Sequence, residues 1–179
     1  MDPSTTIQAF DAFLARRTLT LDAVIVGGTA LGLLGIVSRP TRDCDVLHPL
    51  IPLEVRQAAE DFAGEFRRAG EVLADDWLNN GPSSLVRDLP VGWEDRLRIA
   101  YRGKAVTLRT LSRLDLLRTK VFALCDRAID LPDCLALRPT EAELEELRPW
   151  LEERDANPDW PAHARETLAD LSRRLRHGL

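Results

Sequence analysis

Residues Val24–Leu47 read VIVGGTALGLLGIVSRPTRDCDVL and contain a strand–helix–strand pattern. The apolar beginning predicts a buried strand from Ala23 to Val26, which ends in a pair of glycines, Gly27 and Gly28. A short helix of small residues is predicted from Thr29 to about Ile36. A glycine pair between a strand and a helix lets backbone N–H groups approach a phosphate, although a tight turn with nothing bound has the same pattern.

Two aspartates follow at the end of the same stretch. A second strand is predicted from Asp43 to Leu47. Because side chains alternate along a strand, Asp43 and Asp45 would share one face, and two carboxylates on one face can bind a divalent cation, Mg²⁺ or Mn²⁺. An isolated Asp-x-Asp is more often a turn cap and a surface carboxylate. The glycine pair at strand-to-helix spacing before it favours the metal site.

The rest of the chain predicts an α+β fold. A helix is predicted from Leu53 to Ala69 and a β-hairpin from Leu97–Tyr101 and Ala105–Leu108. Helical patterns dominate after that. We therefore predict a small mixed β-sheet packed with helices in residues 1–111, and a helical C-terminal region, residues 112–179, packed on this core as one compact unit.

Composition and charge restrict the class of protein. The chain has 179 residues, 45% of them hydrophobic and 30% charged, which is ordinary for a soluble globular domain. The net charge of −5 argues against broad, nonspecific nucleic-acid binding. The three cysteines are widely spaced and imply neither a disulfide framework nor a Cys-x-x-Cys metal site. With no signal-peptide pattern and no apolar run near the ~20 residues that span a bilayer, we expect a cytoplasmic protein with no membrane partner.

The motif residues carry a family resemblance. Gly27-Gly28-Thr29, followed by Arg39 and then Asp43-x-Asp45, resembles the signature of the nucleotidyltransferase superfamily. Within it, the chain resembles bacterial minimal nucleotidyltransferases of the AbiEii-toxin-like and uncharacterised nucleotidyltransferase-like groups. The resemblance implies an enzyme that transfers a nucleoside monophosphate from a nucleoside triphosphate (NTP) to an acceptor, with Mg²⁺ or Mn²⁺ as cofactor. It also implies the nucleotidyltransferase-like α+β fold.

The resemblance assigns roles to individual residues. Asp43 and Asp45 would be the catalytic residues and the metal ligands. The residues expected to contact the nucleotide are Gly27, Gly28, Thr29, Arg39 and Lys120.

Each of the nucleotide contacts has an alternative. Thr29 could instead cap its helix, and Arg39 or Arg42 could pair with the two aspartates. Lys120 could be a lysine whose stem lies along apolar surface.

Residues around these positions have structural explanations too. Asp130 suits a helix N-cap, and Asp126 and Asp133 could pair with Arg127. Trp77 could stack on a base, although a tryptophan in a loop more often anchors the loop to the core.

One part of the superfamily pattern is missing. These enzymes commonly use a third carboxylate from a later strand, but residues 97–114 contain no Asp or Glu. A nearby carboxylate could substitute for it: Asp75, Asp76, Glu94 or Asp95. The gap leaves open a one-metal site, an unusual base or a loss of activity.

The sequence therefore supports a leading hypothesis and two others. In the first, the acceptor is tRNA, a protein side chain or a small hydroxyl compound, and the protein is toxin-like with an antitoxin or other protein partner. In the second, a catalytically inactive nucleotidyltransferase-fold module acts through a partner. In the third, the acidic helix that begins at Thr140 binds a partner as part of a structural scaffold.

Overall fold

A computed structural model describes residues 2–177 of the chain. Met1, Gly178 and Leu179, which the two predicted regions include, lie outside the described residues. The chain forms two compact units, one ending at Ser112 and the other beginning at Arg113. Within the described part of the chain, no helix is both long and apolar enough to cross a membrane.

The first unit contains a mixed β-sheet. The described residues form five strands in the order β3-β2-β1-β5-β4. Strand β1 is central, antiparallel to β2 and parallel to β5, while β3 is parallel to β2 and β4 is antiparallel to β5. The strands are β1 (Leu21–Val26), β2 (Cys44–His48), β3 (Leu78–Asn79), β4 (Arg98–Arg102) and β5 (Val106–Thr110).

Helices complete both units and confirm the predicted α+β fold. In the first unit, two short 3₁₀ segments, Gly81–Arg87 and Glu94–Arg96, lie between β3 and β4. The helices of the first unit are α1 (Pro3–Arg16), α2 (Gly27–Leu33) and α3 (Leu53–Arg68), and those of the second are α4 (Arg113–Arg127), α5 (Leu131–Ala136), α6 (Glu141–Glu152) and α7 (Trp160–His177).

The boundaries around the glycine pair differ from the prediction. Strand β1 begins at Leu21, two residues before its predicted start. Asp22 is exposed and pairs with Arg109 of β5 at 2.8 Å, so this polar residue lies within the strand. Helix α2 begins at Gly27 and not at Thr29. The glycines therefore form the first turn of the helix.

Trp77 anchors the irregular segment before β3. Its side chain is fully buried, and its indole N–H donates to the carbonyl of Ala59 in α3 at 3.1 Å. The ring packs edge-on against Phe10 with a centroid separation of 5.0 Å, and it also contacts Phe62. Of its two predicted roles, the structure therefore shows the anchor.

A buried carboxylate joins α1 to the turn of the β4–β5 hairpin. Asp11 accepts hydrogen bonds from the backbone N–H groups of Lys104, Ala105 and Val106 at 2.7–3.1 Å. Although burial alone would raise the pKa of Asp11, these N–H donors lower it below its ordinary value. Gly103 lies against the same carboxylate, and any side chain there would overlap it.

The second unit is helical. Helix α6 begins with a capping box, in which the Thr140 hydroxyl accepts from the N–H of Glu143 and the Glu143 carboxylate accepts from the N–H of Thr140. Trp160 of α7 packs against Phe122 of α4 and donates its indole N–H to the carbonyl of Leu151 in α6. These contacts connect three of the four helices.

Candidate functional site

The register between β1 and β2 places the glycine pair beside the aspartates. Ile25 pairs with Val46, and both side chains lie in the core. Val26, the last residue of β1, pairs with Asp45. Paired residues of neighbouring strands have side chains on the same face, so Asp45 lies on the face opposite Ile25 and Val46, next to the point where β1 becomes α2.

Asp45 is in close contact with Gly27. Gly27 has a φ of +74°, and a β-carbon built on it would lie 2.6 Å from Oδ2 of Asp45. Glycine is the residue that adopts this backbone conformation without steric cost, and it leaves the space that the carboxylate uses. Asp45 itself is half-buried.

Asp43 is fixed through its backbone. It immediately precedes β2, and its carbonyl accepts a hydrogen bond of 2.6 Å from the buried hydroxyl of Thr29 in α2. The hydroxyl of Thr41 also reaches this carbonyl, at 3.3 Å. Gly28 lies against Thr41, where a β-carbon would be 2.9 Å from the hydroxyl oxygen. Thr29 thus positions Asp43, a role the sequence did not indicate.

Cys44 lies between the aspartates and points into the core. Its side chain is fully buried, and its N–H donates to the carbonyl of Trp77 at 2.5 Å. Burial, followed by the charges of Asp45 and Asp43, raises the pKa of the thiol far above its ordinary value. Its burial in the core leaves the Cys44 thiol out of the candidate metal site.

Asn79 lies on the other side of Asp45. The parallel pairing of β2 and β3 places Cys44 opposite Leu78 and Asp45 opposite Asn79. Asn79 is half-buried, and its Oδ1 accepts from the N–H of Gly81 at 2.7 Å. Sequence reasoning did not assign this residue a role. The available signal was the run Asp76-Trp77-Leu78-Asn79, which resembles the superfamily only weakly.

Comparison with known protein families identifies the family of this chain. A family model described as "Nucleotidyltransferase of unknown function (DUF6036)" matches residues 5–136, more than half of the chain. The chain belongs to this family. No curated protein and no solved structure shows significant similarity to it.

The family match identifies the chain as a member of a nucleotidyltransferase family and leaves its relationship to narrower groups open. It spans all five strands of the sheet, the glycine pair and both aspartates. It also extends beyond Ser112 and includes Lys120. A closer relationship to the AbiEii-toxin-like group stays a prediction.

A metal site in this member of the family would consist of few protein ligands. Among residues 2–177, no group of three or more His, Cys, Asp and Glu side chains could together hold a metal ion. The aspartate pair nevertheless fits Mg²⁺, which proteins commonly bind through one or two carboxylates together with substrate phosphates. The space that Gly27 leaves for the Asp45 carboxylate supports the same assignment.

The four alternative carboxylates lie at the surface. Asp75 forms an ion pair with Arg67 at 2.7 Å, and Asp76, Glu94 and Asp95 are exposed. None of the four lies on a strand that pairs with β2. The cationic candidates Arg39 and Arg42 are exposed in the loop between α2 and β2.

Lys120 belongs to the second unit, where it forms buried ion pairs. Its Nζ lies 2.8 Å from Asp130 Oδ1 and 2.7 Å from Asp133 Oδ2, and all three residues are buried. Although burial alone would lower the pKa of Lys120, the two carboxylates raise it above its ordinary value. The amine is therefore not the surface-reaching lysine considered from the sequence.

The structure also corrects the predicted partners of Arg127. It pairs with Asp130 at 3.0 Å, while Asp133 pairs with Lys120. Asp130 is at the N-cap of α5, as predicted, but its side chain makes no capping hydrogen bond because it faces Lys120 and Arg127.

Proposed function

We propose that this member of the family is a metal-dependent nucleotidyltransferase that moves a nucleoside monophosphate from an NTP to an acceptor. The contact between Gly27 and the Asp45 carboxylate carries the proposal. It joins the glycine pair and the aspartate pair, which lie well apart in sequence, into one site at the end of β1. Membership of a nucleotidyltransferase family supports the same chemistry.

Asp43 and Asp45 would hold Mg²⁺ or Mn²⁺. A bound divalent cation neutralises and orients the phosphates in this class of reaction. The protein's own contribution is positioning: Thr29 fixes the backbone of Asp43, and Gly27 leaves room for the Asp45 carboxylate. Two carboxylates on one face repel each other, and a cation between them removes that cost.

The nucleotide would lie over the first turn of α2. Gly27 and Gly28 leave the backbone there without side chains, and Val26 before them provides no side-chain cap. The exposed guanidinium of Arg39 matches the geometry of phosphate oxygens. Lys120 stays a proposed phosphate contact. In that role its amine would release Asp130 or Asp133 and bind a phosphate of the nucleotide.

The acceptor belongs to one of three chemical classes: tRNA, a protein side chain, or a small hydroxyl compound such as an antibiotic. The proposal also includes a toxin-like role for the protein in the cytoplasm, with an antitoxin or another protein as its partner. Radiolabelled NTP incubated with total tRNA, with cell protein and with aminoglycosides, each with Mg²⁺ and with Mn²⁺, would distinguish the three acceptor classes.

The first test is binding of each of the four NTPs by calorimetry, with and without Mg²⁺. The variant is Asp43→Asn/Asp45→Asn, which preserves shape and removes both charges. Asp22→Asn is the matched control, because Asp22 is a β1 carboxylate that pairs with Arg109 at the surface. We expect Mg²⁺-dependent binding in the wild type and the control, and loss of binding in the double variant.

The opposite results are equally informative. A folded wild type that binds none of the NTPs contradicts the proposal. Binding that survives the double variant shows that the nucleotide lies elsewhere.

A catalytically inactive module that acts through a partner is the second candidate. One observation favours it: the two residues paired with Asp45 are Val26 and Asn79, and neither is an acid. This candidate predicts NTP binding without transfer to any acceptor class. It also predicts that the double variant unfolds at a higher temperature than the wild type, because the repulsion between the carboxylates is gone.

A further inference from the structure

Asn79 occupies the strand position that neighbours the proposed metal ligands. In the parallel β2–β3 pairing it is the direct partner of Asp45. The Cα atoms of such partners are separated by about 4.8 Å, and their side chains project from the same face of the sheet. The partner of Asp45 on the opposite side is Val26, which offers no ligand atom.

The amide of Asn79 is held in a defined orientation. Its Oδ1 accepts from the N–H of Gly81 at 2.7 Å, and its Nδ2 reaches the carbonyl of Asp76 at the long distance of 3.5 Å. Gly81 permits this close approach, because a β-carbon there would lie 2.9 Å from Oδ1. A carbonyl oxygen has two lone pairs, so one of them stays available for a cation.

We propose that Asn79 supplies a neutral oxygen ligand to the cation that Asp43 and Asp45 hold, at the position where an acid would complete a three-carboxylate site. This inference rests on the proposed function. An amide oxygen binds Mg²⁺ or Mn²⁺ without adding charge, so the site carries two negative charges and not three. An amide also has no basic lone pair at neutral pH, so Asn79 would not act as the general base.

The replacement Asn79→Asp tests this role with little change of shape. A carboxylate retains the acceptor for the N–H of Gly81 and adds one charge beside Asp45. Its matched control is Asn157→Asp in the second unit, because Oδ1 of Asn157 accepts from the N–H of Asp159 at 3.0 Å, in the same two-residue turn. Asn79→Ala removes the ligand oxygen.

The measurement is Mn²⁺ binding to the whole chain, monitored through the electron paramagnetic resonance signal of the free ion. Thermal unfolding checks that each variant is folded. We expect Asn79→Asp to increase Mn²⁺ affinity roughly tenfold, because ligand charge sets the affinity of such sites. Asn79→Ala should decrease affinity, and Asn157→Asp should leave it unchanged.

The outcomes separate this inference from the function beneath it. If Asp43→Asn/Asp45→Asn abolishes Mn²⁺ binding while both Asn79 variants bind like the wild type, the aspartate site stands and the role of Asn79 is overturned. If Asn79→Asp and Asn157→Asp raise affinity equally, net charge explains the gain and the role is again overturned. If neither the wild type nor any variant binds Mn²⁺, with or without an NTP present, both proposals fall.

Discussion

Oδ2 of Asp45 lies 2.6 Å from the point where a β-carbon on Gly27 would stand. The two residues belong to different elements, and the register Val26–Asp45 brings them together. The requirement for glycine at position 27 is therefore twofold: the φ of +74° favours it, and the neighbouring carboxylate needs the space.

Gly27→Ala should disturb the metal site more than it disturbs the fold. Gly35→Ala is the matched control, because Gly35 has a φ of +69° but no atom lies within 4 Å of the point where its β-carbon would stand. Each replacement should lower the free energy of unfolding by about 1–2 kcal/mol, the cost of a left-handed conformation for an L-residue. Only Gly27→Ala should weaken Mn²⁺ binding, because its methyl group displaces the Asp45 carboxylate. Equal Mn²⁺ affinity in the two variants would contradict this.

Thr29→Val should affect both stability and metal binding. It removes the hydroxyl that donates to the Asp43 carbonyl, at a cost of about 1–2 kcal/mol for a buried acceptor left with a weaker partner. Thr110→Val is the comparison, since Thr110 is also fully buried and donates to the carbonyl of Ile25 at 2.8 Å. Urea unfolding should show similar losses, whereas Mn²⁺ titration should show weaker binding for Thr29→Val alone. A parallel loss of Mn²⁺ affinity in both variants would mean that Thr29 has no special role.

Lys120→Met should destabilise the second unit strongly. It leaves Asp130 and Asp133 buried without their cation, and breaking a buried pair in this way costs about 3–5 kcal/mol. The triple variant Lys120→Met/Asp130→Asn/Asp133→Asn should recover much of this loss in urea unfolding. NTP calorimetry on the triple variant then decides the role of the lysine: unchanged affinity identifies a structural residue, and reduced affinity identifies a nucleotide contact.

Glu143→Gln should change how stability responds to acid. The side-chain hydrogen bond from Arg113, followed by the N–H of Thr140, lowers the pKa of Glu143 from 4.5 to about 2. A carboxyl with a depressed folded-state pKa stabilises above its unfolded pKa and loses this contribution as the pH falls through the folded value. The variant should therefore unfold at a lower temperature than the wild type at pH 7, and the difference should shrink between pH ~4.5 and ~2. A difference that does not depend on pH would contradict the Arg113 assignment.

Local patterns predicted the elements that carry the site. The glycine pair marked the end of β1, and side-chain alternation in β2 places Asp45 on the face opposite Cys44. Asp43 precedes β2, so its place on that face stays a prediction. The start of β1 was predicted two residues late, since the polar Asp22 resembles a strand boundary in sequence. In the sheet, Asp22 is exposed and pairs with Arg109 of β5.

The contacts that sequence reasoning missed are non-local. Strand β3 has two residues, too few for any periodicity, so the pairing of Asn79 with Asp45 leaves no pattern in the sequence. The partners of Lys120 depend on the sharp turn between α4 and α5, where Ala128 has a φ of +58°. Helical spacing within α4 says nothing about residues beyond that turn.

The hydrogen bonds of Asp11 can form only late in the synthesis of the chain. The N–H groups that its carboxylate accepts lie 93 to 95 residues later, so α1 leaves the ribosome long before the β4–β5 turn exists. The central strand β1 likewise waits for β5, which provides its parallel neighbour. Domains fold as units during translation, and this one cannot close until the hairpin has emerged. Until then the nascent chain exposes the edge of β1 that β5 later covers.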